Sequence, residues 1–125
     1  MNKLRIIAPA LILALFFLFS TSCSAGGGYT NIPPEQAKEM LSSGDKDLLL
    51  LDVRTKDEYR EGHIKGAKLI PVQVLSGMID EIADYSDKKV ILYCALGGRS
   101  SKASGILQEK GFKAIYNMVG GIKKW

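Results

Sequence analysis

One segment of this 125-residue chain gathers the groups needed for nucleophilic sulfur chemistry: Cys94-Ala95-Leu96-Gly97-Gly98-Arg99-Ser100. The thiolate, not the thiol, is the nucleophile, and nearby hydrogen-bond donors and positive charge set how much of it is present. Gly97 and Gly98 permit positive φ, so successive N–H groups can turn inward towards the sulfur. A helix opening near Ser100 adds the positive end of its dipole, and Arg99 adds a full charge. Such donors hold a thiolate, or an anionic persulfide, without a separate general base. The bland alternative is a small apolar residue that merely closes a buried strand. A packing cysteine, however, has no need of a glycine loop, an arginine and a helix start around it. His63 is the single histidine, and a Cys-His pair is the other arrangement to weigh. It lies between Gly62 and Ile64-Lys65-Gly66, a setting that reads as a hydrogen-bonded turn. One histidine and one available cysteine cannot close a metal shell without several carboxylates. Neither a metal nor another cofactor is expected.

The elements that must position Cys94 follow from the apolar pattern. Val90-Ile91-Leu92-Tyr93 reads as a buried strand ending at the cysteine, and Leu48-Leu49-Leu50-Leu51 as another, buried on both faces of a parallel sheet and ending at Asp52. Pro33-Pro34 followed by Ala37, Met40 and Leu41 predicts a helix started by proline and closed at Gly44. Lys68-Leu69-Ile70 before Pro71 is a short strand, and Leu75, Met78, Ile79 and Ile82 then recur at helical spacing. A helix from near Ser100 carries Ala103, Ile106 and Leu107 inward and stops at Gly111; Ala114-Ile115-Tyr116 is a last strand. Alternating strands and helices predict an α/β fold with a mostly parallel central sheet and helices on both faces. In such sheets ligands bind at the carboxyl ends of the strands, where Cys94 falls.

Length allows one domain, and 46% hydrophobic with 24% charged residues is an ordinary globular composition. The formal net charge of +4 drops to +2 once Lys3 and Arg5 are set aside. That is too little for a nucleic-acid partner, and Lys88-Lys89 and Lys123-Lys124 read as solvated turn and end residues. Lys3 and Arg5, the apolar run Ile6 to Phe19, and Ser20, Thr21 and Ser22 have the layout of an export signal over residues 1–22. The run, interrupted by Pro9, falls short of the roughly 18 to 20 apolar residues that a span needs. Ser20-Thr21-Ser22-Cys23-Ser24 resembles a bacterial lipoprotein lipobox, which implies acylation of Cys23 and a lipid anchor to a membrane of the cell envelope. Residues 23–28 then form a flexible tether, and residues 29–125 the folded domain. Cleavage after Ala25 is the rival, giving a soluble exported protein. In either case Cys94 is the thiol left without a disulfide partner.

The Cys94 to Ser100 loop resembles the active-site loop of rhodanese-domain sulfurtransferases. Asp52-Val53-Arg54, Asp57-Glu58-Tyr59, Gly62-His63-Ile64-Lys65-Gly66-Ala67 and Ile70-Pro71 are similar to that family's first block in order and spacing. Gly120-Gly121 with Trp125 is similar to its last. The resemblance implies a persulfide on Cys94, loaded from thiosulfate or another sulfane donor and discharged to cyanide or a thiol. It implies a loop-orienting or anion-attracting role for Arg99, with a structural ion pair as the alternative, and framework roles for Asp52, Arg54 and the His63 turn. Ala95 and Leu96 are less polar than many thiosulfate-using loops, which suits a small persulfide or a partner protein's cysteine equally. A monomer is expected. Two rivals stand beside this reading. Phosphatase or arsenate-reductase chemistry is disfavoured because four residues, not five, separate Cys94 from Arg99. A non-enzymatic sulfur carrier needs the same cysteine.

Overall fold

The computed structural model describes residues 28–125; the expectations for the leader, Cys23 and the tether up to residue 27 lie outside the described residues. Five strands, all parallel, form one sheet: β1 (Thr30–Ile32), β2 (Leu49–Asp52), β3 (Lys68–Leu69), β4 (Lys89–Tyr93) and β5 (Ala114–Met118). Their order is β1-β5-β4-β2-β3, which puts β4 at the centre. The helices are α1 (Pro34–Ser42), α2 (Lys56–Glu61), α3 (Val72–Leu75) and α4 (Gly98–Glu109), with 3-10 turns over Ile79–Tyr85 and Ile122–Lys124.

Period-two alternation along β2 and β4 sorts their side chains between two cores. Leu49, Leu51, Val90, Leu92 and Cys94 face α3, α4 and the Ile79–Tyr85 turn, where they pack with Val72, Leu75, Ile82, Ala103 and Leu107. Leu50, Ile91 and Tyr93 face the other way, onto Ala37 of α1, Ile64, Ala67 and Met118. Burial on both faces explains why these strands read as continuous apolar runs rather than alternating ones. Each fully buried Leu or Ile contributes about 1.5–3 kcal/mol.

Local chemistry sets the helix ends. Pro34 occupies the first turn of α1, and Gly44 just beyond its end has φ 77°. Thr55 caps α2: its side chain accepts from the Glu58 N–H while Glu58 Oε1 accepts from the Thr55 N–H. Gly111, with φ 86°, follows α4, as the sequence predicts. One expectation is corrected. The helix read through Leu75, Met78, Ile79 and Ile82 is two pieces, α3 and a 3-10 turn, joined through Ser76-Gly77. Gly77 and Met78 donate to Val74 O and Leu75 O in tight i→i+3 bonds, and Ser-Gly weakens an α-helix there. The apolar spacing of three and four fits both helix types, so the four residues still reach the core.

Candidate active site

Cys94 follows the central strand and is 1% exposed. The loop after it turns at Gly97, whose φ of 115° places it in the left-handed region, and α4 starts at Gly98. This corrects two expectations. The positive φ belongs to Gly97 alone, Gly98 being the first residue of α4, and the helix opens two residues before Ser100. The turn aims the Gly97 N–H at Cys94 Sγ, 3.0 Å away. Ser100, buried in the first turn of α4, has its Oγ 3.5 Å from the same sulfur and donates to Gly97 O at 3.1 Å. Burial pushes the Cys94 thiol up, but the Ser100 hydroxyl and the Ser100, Gly97 and Leu96 N–H groups outweigh it, and the net direction is down. The sulfur thus sits in a cradle made by one glycine N–H and the first turn of α4.

Arg99 is not among those donors. Its Nη1 and Nη2 lie 2.6 and 2.9 Å from Glu58 Oε1 and Oε2, a bidentate pair between α4 and α2. Of the readings weighed for Arg99, the structural ion pair is the one this geometry shows, and it ties α4 to α2. The Arg99 fork, together with the Thr55 contacts, holds the Glu58 carboxyl down at about 2. Asp52 and Arg54 form a buried framework beneath the loop: Arg54 Nη2 donates to Asp52 Oδ2 at 2.8 Å and to Gly62 O at 2.6 Å. Tyr93 closes it, donating to Asp52 Oδ2 at 2.7 Å and accepting from the Ile64 N–H at 3.1 Å. Desolvation by burial and the Asp52 contact raise the Tyr93 phenol well above its usual range. The pairing of Tyr93 with Asp52 and of Glu58 with Arg99 went unread in the sequence, although Glu58 lies in a Thr-x-x-Glu capping box.

His63 is exposed, hydrogen-bonded through Nδ1 to Tyr59 O at 2.9 Å and stacked on the Tyr59 ring at 3.6 Å. It is hydrogen-bonded and lies just before the turn at Lys65-Gly66. Gly120 and Gly121 brace the loop from below. A Cβ on Gly121 would sit 2.4 Å from the Ala95 carbonyl carbon, and the next N–H, of Ile122, donates to Cys94 O at 2.8 Å. Leu96 stands at the loop tip, 66% exposed. A cleft of about 510 Å³ opens beside Ala95, lined also by Arg54, Glu58, Glu61, His63, Ile122 and Lys123. Among the described residues no three His, Cys, Asp or Glu side chains gather at metal-ligating range, and no helix is long and apolar enough to cross a membrane.

Residues 33–125 match the rhodanese-like domain family. The Bacillus subtilis protein YqhL is 36% identical over 116 residues, covering 92% of this chain and 90% of that one. A tRNA uridine(34) hydroxylase of Cronobacter sakazakii is 34% identical over 82 residues; the match takes in 62% of this chain and 24% of the hydroxylase. The human single-domain sulfurtransferase TSTD1 superposes with a TM-score of 0.67 at 25% identity, covering 78% of this chain and 96% of that structure.

Proposed function

The chain belongs to the rhodanese-like domain family, and on that footing we propose that it is a sulfurtransferase that carries sulfane sulfur as a persulfide on Cys94. The Cys94 thiolate attacks the outer sulfur of a donor. With thiosulfate, the donor S–S bond breaks and sulfite departs with its electron pair. A thiolate or cyanide then attacks the bound sulfur, and Cys94 Sγ leaves again as thiolate. No oxidant or reductant is consumed. The Gly97 N–H at 3.0 Å and the Ser100 hydroxyl at 3.5 Å from Sγ carry this reading, since they stabilise the sulfur as attacker and as leaving group. His63, bound to Tyr59, takes no part as a base.

Arg99, matched by Glu58, offers no free charge to a dianion, so a small persulfide or a protein persulfide suits the loop better than thiosulfate. Four residues between Cys94 and Arg99 disfavour phosphate-ester hydrolysis. A non-turning sulfur carrier is the second reading, favoured by the exposed Leu96 beside the nucleophile. In the same proposal the domain works at the bacterial cell envelope, held by an acylated Cys23; the order Lys3, Arg5, apolar run, Cys23 supports this. The test is mass analysis after exposure to thiosulfate or a small persulfide. The peptide holding Cys94 gains one sulfur atom, removable by cyanide, and a Cys94→Ser variant does neither loading nor turnover. Loading without multiple turnover selects the carrier.

A further inference from the structure

The cleft beside Ala95 has a charge pattern that its hydrogen bonds make legible. Arg54 is matched by Asp52, and Glu58 by Arg99. Glu61 and Lys123, both exposed, enter none of the ion pairs among the described residues. The cleft therefore presents one unmatched anion and one unmatched cation, with the apolar side chains of Ala95 and Ile122 also in its wall. Ala95 is the residue next to the nucleophile. A dianion finds little complement here; a small zwitterion finds both of its partners.

We infer that this cleft seats a low-molecular-weight thiol of the amino-acid type, its carboxylate on Lys123 and its ammonium on Glu61. The inference rests on the sulfurtransferase reading for its chemistry, in which this thiol is the acceptor. Its thiolate attacks the outer sulfur of the Cys94 persulfide, a new S–S bond forms, the old one breaks, and Cys94 Sγ keeps the bonding pair. The product is the amino-acid persulfide, and the outer sulfur keeps its proton.

Two measurements test this, the first without sulfur transfer. S-methylcysteine, an unreactive thioether, is titrated into the purified protein while amide chemical shifts are followed. Saturable shifts are expected at Glu61, Ala95, Ile122 and Lys123. The N-acetyl and methyl-ester derivatives, each lacking one charge, bind about two- to fivefold more weakly, as for exposed ion pairs. Glu61→Gln abolishes discrimination against the N-acetyl derivative, Lys123→Gln abolishes that against the ester, and about 0.5 M salt weakens both. The second measurement is discharge of the loaded Cys94 persulfide by cysteine, N-acetylcysteine and cysteine methyl ester. The ratio of wild-type to variant rates for each thiol cancels its intrinsic nucleophilicity, and the same pairing of variant with missing charge is expected. Absence of cleft shifts, or variant effects equal for all three ligands, overturns the inference. If the zwitterion seats with both charge effects but Cys94 never loads, the cleft assignment stands and the sulfurtransferase reading falls.

Discussion

The Ser100 hydroxyl donates to Gly97 O at 3.1 Å and accepts from the Cys94 thiol at 3.5 Å. While Cys94 is a thiol the hydroxyl serves the carbonyl; once it ionises, a turn of one torsion delivers that hydrogen to the thiolate. A hydrogen bond to a charged group contributes about 1.5–3 kcal/mol. Ser100→Ala is therefore expected to raise the Cys94 pKa and slow its alkylation near neutral pH by about tenfold. Ser100→Thr keeps most of the rate. The pH profile of iodoacetamide labelling reads both, and an unmoved profile removes Ser100 from the cradle. The two loop glycines differ in the same way. Gly97 has φ 115° and a Cβ there would lie 3.3 Å from the Gly120 nitrogen, whereas Gly98 is helical and faces open space. Gly97→Ala is expected to cost about 1–2 kcal/mol, and Gly98→Ala to be neutral or stabilising by up to about 1 kcal/mol, both by urea unfolding. The sequence pointed to Cys94 and its loop but treated the glycines alike and gave Ser100 no separate task. Which of two adjacent glycines turns, and where a hydroxyl points, depends on where the helix begins, and spacing alone left that open by two residues.

The join between α2 and α4 rests on one carboxylate. Glu58 serves the capping box of its own helix and the Arg99 fork of the other. Its folded pKa is lowered from 4.5 to about 2, so its contribution is fully present above the unfolded value and is lost as pH falls from about 4.5 towards 2. With both side chains about one-third exposed, solvent screening limits this to about 1 kcal/mol. Glu58→Gln should lower the unfolding free energy by that amount at pH 7, and the gap to wild type should close as the medium is acidified below pH 4.5. A gap constant with pH would mean the cap, not the charge, is what Glu58 supplies. No residue of α2 is buried, so no apolar period betrays it, and its capping box is the signal that was there to use. The edge strand β1 was missed for a related reason: of Thr30, Asn31 and Ile32 only Ile32 is buried. The long runs of β2 and β4 were legible because both their faces are covered. The helical spacing of Leu75, Met78, Ile79 and Ile82 did not reveal that two pieces carry it, because α and 3-10 turns share that period.

If residues 1–22 are an export signal and Cys23 is acylated, Cys23→Ala should move the protein from the membrane fraction to the soluble one; fractionation with N-terminal sequencing decides, and wild-type protein starting at Ser24 or later refutes the anchor. At the other end, Gly121 has φ 63° and no room for a Cβ against Ala95. Gly121→Ala is expected to cost about 1–3 kcal/mol in urea unfolding and to lower Cys94 labelling, because the strain falls on the first peptide of the loop. The strand order has a temporal side. Among the described residues β1 pairs only with β5, Thr30 opposite Tyr116, so the first of these strands waits for the last of them. Such distant pairing slows folding and leaves β1 unpaired until β5 has been made. It also means that the Ile122 N–H reaches Cys94 O only after all five strands have been made. The peptide that follows the thiol is therefore braced only in a domain whose five strands have all been synthesised.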